Sequence, residues 1–475
     1  MTRQTHSTPP ENNQTSSFIA QLRAALNGRV ITPEEPTYDE ARTVFYGGFD
    51  RRPALIVRGA DANDVSRVVS LARENELELA VRSGGHSVAG HSTTDGGIVL
   101  DLSEMKNLEI DVERHTAWAQ AGLTAGEYTT AAGAHGLATG FGDTGSVGIG
   151  GITLGGGIGY LVRKYGLTID DVLAAEVVTA DGELLRVDAE RHPDLFWAIR
   201  GGGGNFGVVT RFHYRLHQVD TIVGGMLMLP ATPEVIASFV AEADAAPEEL
   251  STIANVMPAP PMPFISSEHH GRLVIMALLC YAGEVDEGER AVAPFRALVE
   301  PIVDMVKPMR YPEIYPPEED YHPVASARTM FVETIDHSVA QTIVEYLKAS
   351  SAQMAVAQIR VLGGAMARVP AEVTAFAHRS ARIMVNVAAL YERPDQAAEH
   401  EPWLADFAAA LRQEVDGGAY VGFLGDEGEA RIREAYPEPT WNRLAEIKGR
   451  YDPTNLFRLN QNIPPATDAT KYASA

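Results

Sequence analysis

The stretch Arg82-Ser83-Gly84-Gly85-His86-Ser87, followed by Gly90-His91, places an imidazole at the apex of a loop of small residues. Glycines at 84 and 85 let backbone N–H groups close on an anion, as in the nests that hold phosphates. An imidazole on such a turn can meet whatever group that backbone binds. A second cluster, Gly142-Asp143-Thr144-Gly145-Ser146-Val147-Gly148-Ile149-Gly150-Gly151, runs on to Gly155-Gly156-Gly157-Ile158-Gly159. A third is Gly201-Gly202-Gly203-Gly204-Asn205-Phe206-Gly207-Val208-Val209-Thr210. So many glycines cost conformational entropy on folding, which a chain tolerates where backbone must lie against something else. Any one cluster reads as a turn; all of them in order, with His86, read as a cradle.

Within the third cluster Gly202, Gly204 and Gly207 fit G-x-G-x-x-G. That fingerprint needs a strand before it and a helix after it. Here helical spacing, Pro193–Arg200, comes first and a strand, Val208–Leu216, follows, so a Rossmann dinucleotide site is set aside.

The run Val356-Ala357-Gln358-Ile359-Arg360-Val361-Leu362 alternates with period two. Gln358 and Arg360 share one face; Ala357, Ile359 and Val361 share the other. Two polar residues on one face suggest a lined cavity, with a solvated outer face as the alternative. His91 lies five positions beyond His86, but a metal site lacks a third ligand and no metal is expected. Asp170-Asp171 reads as a helix start or a surface pair, and His269-His270 as a solvated loop. The lone Cys280, in an apolar run, reads as a small core residue and leaves no disulfide to form.

These residues need elements to position them. A chain of 475 residues exceeds one ordinary core. Hydrophobic residues at 45% and charged residues at 21% describe a globular protein. A net charge of −24 argues against a nucleic-acid surface. No run has the length of a membrane span. Met1–Ser17 is polar without a signal core, so residues 1–30 are expected as a flexible tail and the cytoplasm as the compartment.

Leu55–Val57 and Ala80–Arg82 read as strands around a helix, Asp61–Asn75, with Asp61 as its cap and Val65, Val68, Val69 and Leu71 as its apolar face. Beyond residue 220 the expected strands are Val223–Leu229, Leu250–Met257, Arg272–Tyr281, Ala355–Leu362 and Ile383–Leu390. Expected helices are Pro233–Ala245, Glu287–Leu298 (with Pro294 set to kink or break it), Ala340–Ser350 and Pro402–Glu414. This pattern is α+β: an antiparallel sheet with helices on one face. Pro258–Pro263 and Tyr311–Pro323 read as surface loops. A final helix, Trp441–Gly449, precedes Asn460-Gln461-Asn462-Ile463-Pro464-Pro465.

With these motifs in hand, the chain resembles the berberine-bridge-enzyme-like FAD-linked oxidases of the vanillyl-alcohol-oxidase superfamily, over about Ile31 to Pro465. The attachment loop, Gly155–Gly159 with Arg163-Lys164-Tyr165-Gly166-Leu167, the Gly-Gly-Gly-Gly-Asn-Phe-Gly-Val-Val-Thr segment and the Asn-Gln-Asn-Ile-Pro-Pro end carry the resemblance. It implies a split PCMH-type FAD-binding domain (31–219, closed by 436–465), a substrate-binding domain (220–435) with an antiparallel sheet over the flavin, and tails at 1–30 and 466–475. It implies FAD bonded through its 8α-methyl to His86. Cofactor-binding positions carried over are Arg82, Ser83, Gly84, Gly85, Ser87, Gly90, His91, Thr144, Gly145, Ser146, Gly148, Gly150, Gly151, Gly157, Gly159, Gly204, Asn205, Gly207, Val208, Val209, Asn460 and Asn462.

Three departures bear on function. Thr144 stands where many relatives carry a second, cysteinyl flavin link, so a single histidyl bond is expected. Tyr420-Val421-Gly422-Phe423 lacks the asparagine of the family's Tyr-x-Asn-Tyr/Phe. Gln358 stands where some relatives carry a glutamate, and a glutamine cannot act as a base. The resemblance implies Tyr420 as the candidate base, since relatives use a tyrosine in this segment near the substrate; its pKa, near 10 as a free side chain, would need lowering, and a buried tyrosine with a satisfied hydroxyl is the alternative. Arg360 could lower it or bind an anionic group. The resemblance implies hydride transfer from a small alcohol, amine or secondary metabolite to flavin N5, with O2 as acceptor, in a monomer or homodimer. A dehydrogenase that excludes O2, or a flavin carrier without catalysis, stands as the alternative.

Overall fold

The computed structural model describes residues 19–315, 322–413 and 417–466. The expected strand–helix–strand unit forms from Leu55–Arg58, the helix Ala62–Glu74 and Leu79–Arg82. Asp61 caps that helix by accepting the backbone N–H groups of Asn63 and Asp64. Ile98–Asp101 inserts between the two strands, parallel to both, and Arg29–Ile31 adds antiparallel at the edge. Every residue of the inserted strand is buried, Ile98–Leu100 as an apolar run in a parallel sheet requires and Asp101 through its bond with Arg82.

A second, five-stranded sheet is antiparallel and runs Leu108–Asp111, Thr116–Gln120, Val208–Arg215, Val172–Val178, Leu184–Asp188. The core shared by these two sheets also takes in Trp441, Leu444, Phe457 and Ile463. The C-terminal helix, Glu438–Tyr451, thus packs back onto the N-terminal half of the chain.

The third sheet has eight strands, all antiparallel. Its central path is Thr221–Pro230, Leu273–Tyr281, Leu250–Pro258, Met354–Val361, Ile383–Tyr391, Val324–Val332. The helices Pro233–Ala245, Val285–Ala297, His337–Ala349 and Ala397–Leu411 bury their apolar stripes on one face. Ala357, Ile359 and Val361 belong to that helix-side core, so Gln358 and Arg360 point the other way. The fold class is α+β, as the period-two strands require.

Several expectations give way. Residues 19–30 are not a tail: Leu22 and Leu26, one helical turn apart, are 7% and 8% exposed in the first core, and Arg29 begins a strand; residues 1–18 lie outside the described residues. The helix Val285–Ala297 runs through Pro294, because Val292 and Phe295 on either side are buried and hold it against the sheet. The edge strand Val324–Val332 was not expected; its small residues Ala325, Ser326 and Ala327 have little strand propensity of their own. Tyr311 is fully buried rather than in a surface loop; residues 316–321 of that loop, and the predicted helix end at Glu414, lie outside the described residues. Asp170 and Asp171 take the helix-start alternative, not the surface one: the Asp170 carboxylate accepts the Leu167 N–H at the start of the short helix Thr168–Asp171. Arg379 grips Asp170 through both carboxylate oxygens at 2.8 Å, and buried Asp171 bonds His217 at 2.7 Å. His270 is tied to the Ile265 carbonyl. Among the described residues, no helix is long and apolar enough to cross a membrane.

Candidate functional site

A cavity of about 900 Å3 opens where the glycine loops meet the helix-free face of the eight-stranded sheet. That size suits a large cofactor with a small ligand beside it. One wall is the loop predicted to carry the cofactor: Ser83, Gly84, Gly85, His86, Ser87 and His91. Thr144, Gly148, Gly150, Gly151, Gly204, Gly207, Val208, Val209 and Asn460 continue it. The opposite wall is Gln358, Arg360 and Tyr420, with Asn386, Ala388 and Leu390 from the neighbouring strand.

The glycine wall is built by close backbone packing. A Cβ on Gly84 would lie 2.2 Å from the Gly148 nitrogen, so the first two glycine clusters clasp each other with no side chain between them. At Gly151 and Gly204, by contrast, a Cβ would meet no atom within 4 Å. Those two positions face the cavity and keep its wall smooth.

Other predicted cofactor residues act from behind. Arg82 is buried and does not line the cavity; it bonds Asp101 (2.9 Å) and the Ala41 carbonyl (2.6 Å), fixing the root of the His86 loop. Asn205 accepts the Ile463 N–H and donates to the Gly202 and Gln461 carbonyls, locking the C-terminal segment to the third glycine cluster. Gly157 donates to the Tyr420 hydroxyl at 3.2 Å. Gly90, Gly145, Ser146, Gly159 and Asn462 also lie off the cavity wall, as turns and close contacts. The Asn460 amide oxygen and the Ser92 hydroxyl are shut from solvent without a hydrogen-bond partner, and both residues line the cavity. Polar groups left so are costly unless a ligand completes them. Smooth glycine walls, backbone donors and unsatisfied polar atoms together fit an extended polar cofactor such as FAD.

His86 stacks on Phe45, ring centroids 3.9 Å apart at 19°. Burial pushes its pKa down to about 4, against smaller opposing pulls from Asp143 and a hydrogen bond with the Ser146 backbone. The imidazole is therefore neutral at physiological pH, with a lone pair available for bonding. His91 is held neutral to about pH 4 in the same way. Cys280 is fully buried in the sheet with its thiol pKa raised by burial, and it does not line the cavity.

On the sheet side, Arg360 is 2% exposed, which removes the solvated-face alternative. Its guanidinium is spoken for. It donates to the Ile158 carbonyl (2.9 Å), to Asp143 (2.7 Å) and twice to the Gln358 side-chain oxygen (2.8 and 3.0 Å). Gln358 in turn donates to Asn255 at 3.0 Å. Tyr420 is buried, and its pKa is raised because desolvation outweighs the backbone N–H groups of Gly157 and Ile158 and the Arg360 charge. That is the opposite of the lowering a phenolate base would need. Its ring also fills the space beside Gly422, where a Cβ would lie 2.8 Å from the ring carbons. The asparagine expected from the resemblance has no room in this arrangement.

Sequence reasoning missed Asp143, Asn386, Tyr46 and Arg328 as cavity residues. Asp143 was visible as the one acid inside a glycine cluster. Asn386 was visible as a polar residue on alternate positions with Ala388 and Leu390. Tyr46, its pKa raised to about 12 by burial and Asp143, left no local signal.

Residues 53–188 match the model of the FAD binding domain family, and residues 419–464 that of the berberine and berberine-like family. The chain is 31% identical to (R)-6-hydroxynicotine oxidase of Paenarthrobacter nicotinovorans, over 93% of this chain and 97% of that one. It is 28% identical to xylooligosaccharide oxidase of Thermothelomyces thermophilus, over 87% and 88%. The crystal structure of 6-hydroxy-D-nicotine oxidase from Arthrobacter nicotinovorans superposes with a TM-score of 0.83 at 27% identity, covering 93% of this chain and 98% of that one.

Proposed function

The chain belongs to the berberine-like FAD-linked oxidoreductases, and from that premise we propose that it is an oxidase of a small organic alcohol, amine or secondary metabolite. Held by the His86 loop and the second and third glycine clusters, FAD would supply a hydride acceptor at N5 for a substrate C–H bond, with O2 taking up the electrons as H2O2. The division of labour follows the cavity: residues 31–219 and 436–465 hold the cofactor, and residues 220–435 cover it with the substrate sheet.

His86 carries the flavin through a single covalent bond; its neutral, stacked imidazole supports that role. No cysteinyl link accompanies it, because Thr144 occupies the cavity wall and Cys280 is buried away from it. Gln358 and Arg360 shape the substrate side, and Tyr420 stays protonated and donates a hydrogen bond instead of acting as a base. The observation that carries the reading is the one cavity that joins the His86 loop to Tyr420, Gln358 and Arg360.

Acid precipitation of the purified protein beside His86→Ala tests the link: yellow colour stays in the wild-type pellet and leaves the variant. Oxygen consumption and peroxide release, measured over a panel of alcohols and amines, then test the acceptor. Flavin reduction without oxygen uptake would make the protein a dehydrogenase.

A further inference from the structure

The sheet face over the cofactor carries a polar row that crosses the strands in register. Asn255 lies opposite Gln358, Gln358 opposite Asn386, and Asn386 opposite Thr329. Residues directly opposite share a face, so these side chains line up across one surface. Half of the row is satisfied. Asn255 donates to the Met276 carbonyl and accepts from Gln358, whose own oxygen is saturated by Arg360. The other half is not: the Asn386 amide oxygen and the Thr329 hydroxyl are both shut from solvent without a hydrogen-bond partner, and of the two Asn386 lines the cavity.

The charges around this row are already matched. Arg360 and Asp143, the charged groups acting on Tyr420, are bonded to each other at 2.7 Å. Arg328, further along the cavity wall, is held by Glu401 and by buried Glu427. Arg51 is occupied by the Gly90 and Thr93 carbonyls. A carboxylate set against this row finds Arg360 and Arg328 already compensated by acids, while Arg51, which meets only neutral carbonyls, lies on the His86-loop side. An ammonium set against this row finds Asp143 already paired; Asp426, a cavity acid without an ion pair among the described residues, acts on His91 instead.

Toward the cavity, this row and Tyr420 leave open one acceptor and one donor. Asn386 offers its amide oxygen. The Tyr420 oxygen already accepts the Gly157 N–H, which leaves its own proton to give. A group that completes both must donate and accept at once. Hydroxyls and neutral amines do so; a carboxylate cannot donate and an ammonium cannot accept.

Resting on the oxidase reading above, we infer that Asn386 is a specificity-determining residue, which with Tyr420 orients an uncharged hydroxyl or amine at the reacting end of the substrate.

The test uses the FAD-loaded protein under anaerobic conditions and follows flavin bleaching. The panel pairs benzyl alcohol with mandelate, which adds a carboxylate beside the hydroxyl, and includes benzylamine and 1-phenylethanol, extended by every compound that consumes oxygen in the screen above. Neutral members are expected to reduce the flavin, their carboxylated twins at least about tenfold more slowly. Amine rates should rise with pH as the free amine forms. Asn386→Leu should weaken binding or slow reduction by about tenfold, and Asn386→Asp, which keeps an acceptor oxygen, should retain more of the rate than Asn386→Leu. The Asp variant and the flavin spectrum of both variants guard against a folding artefact. A carboxylated twin oxidised as fast as its neutral partner overturns the inference, as does a neutral substrate handled equally well by Asn386→Leu. If no member of the extended panel reduces the flavin, the oxidase reading falls first and takes this inference with it.

Discussion

Replacing Lys448 by Met tests how the cofactor side of the molecule is held closed. Lys448 is fully buried on the C-terminal helix, one turn from Asp452. Its ammonium donates to Asp452 (2.7 Å), to the Asn205 carbonyl (2.7 Å) and to the Phe457 carbonyl (2.9 Å). It therefore ties the third glycine cluster to the segment that supplies Asn460 and Gln461 to the cavity wall. Met fills nearly the same volume, so the loss is electrostatic. Removing one partner of a buried ion pair costs about 3–5 kcal/mol, because the other charge stays behind. Asp452 keeps the Leu456 and Phe457 N–H groups, which places the expected loss toward the lower end of that range. Urea unfolding followed by flavin and by tryptophan fluorescence should show both midpoints falling together, with flavin exposed no later than Trp441. Adding Asp452→Asn to the Lys448→Met chain should recover about 1–3 kcal/mol relative to the sum of the two single losses, since it removes the stranded charge while keeping an acceptor. A Lys448→Met protein within about 1 kcal/mol of wild type would refute the reasoning, and so would strict additivity in the cycle.

The clasp between the first two glycine clusters predicts that Gly84→Ala costs stability and cofactor together. Its new methyl would lie 2.2 Å from the Gly148 nitrogen, a backbone atom that cannot swing aside, so a loss of about 1–3 kcal/mol and reduced flavin content on purification are expected. The buried imidazoles predict the acid limb of stability. His378 has its pKa lowered by burial to about 4, so below pH 6.5 the unfolded chain binds a proton the folded one refuses. Its contribution is intact above 6.5 and drains away as pH falls to 4, with a ceiling of about 3 kcal/mol. Urea midpoints measured from pH 8 to 4.5 should fall across that window, and His378→Gln should flatten the fall; an unchanged slope in the variant would assign the effect elsewhere.

The parts of this site that could be read from the sequence are those whose signal is local. His86 stands out because a glycine pair precedes it, and Gln358 and Arg360 because period two separates them from Ala357, Ile359 and Val361. Arg82 and Asn205 were equally visible, yet their contribution depends on partners 19 and 258 positions away, Asp101 and Ile463, which set them behind the cavity wall. Nothing near residue 360 announces that Asp143, 217 positions earlier, will neutralise it. The edge strand Val324–Val332 was illegible for the same reason: its place is set by pairing with Ile383–Tyr391, not by the propensity of Ala325, Ser326 and Ala327. Pro294 misled in the other direction, because burial of its neighbours outweighs one lost backbone bond.

The way the two halves of the molecule meet decides which residues are free to change. The substrate sheet reaches the second glycine cluster through polar contacts: Arg360 to Ile158 and Asp143, and Tyr420 to Gly157. These bonds end on the same stretch of backbone that clasps the His86 loop. Gln358 cannot be altered without releasing Arg360, and Arg360 cannot be altered without stranding Asp143 against His86. Asn386, Ala388 and Leu390 share the same cavity but make no such bridge. On the oxidase reading, substitutions along Ile383–Tyr391 should change substrate preference while the cofactor side stays as it is, whereas substitutions at Arg360 should disturb both.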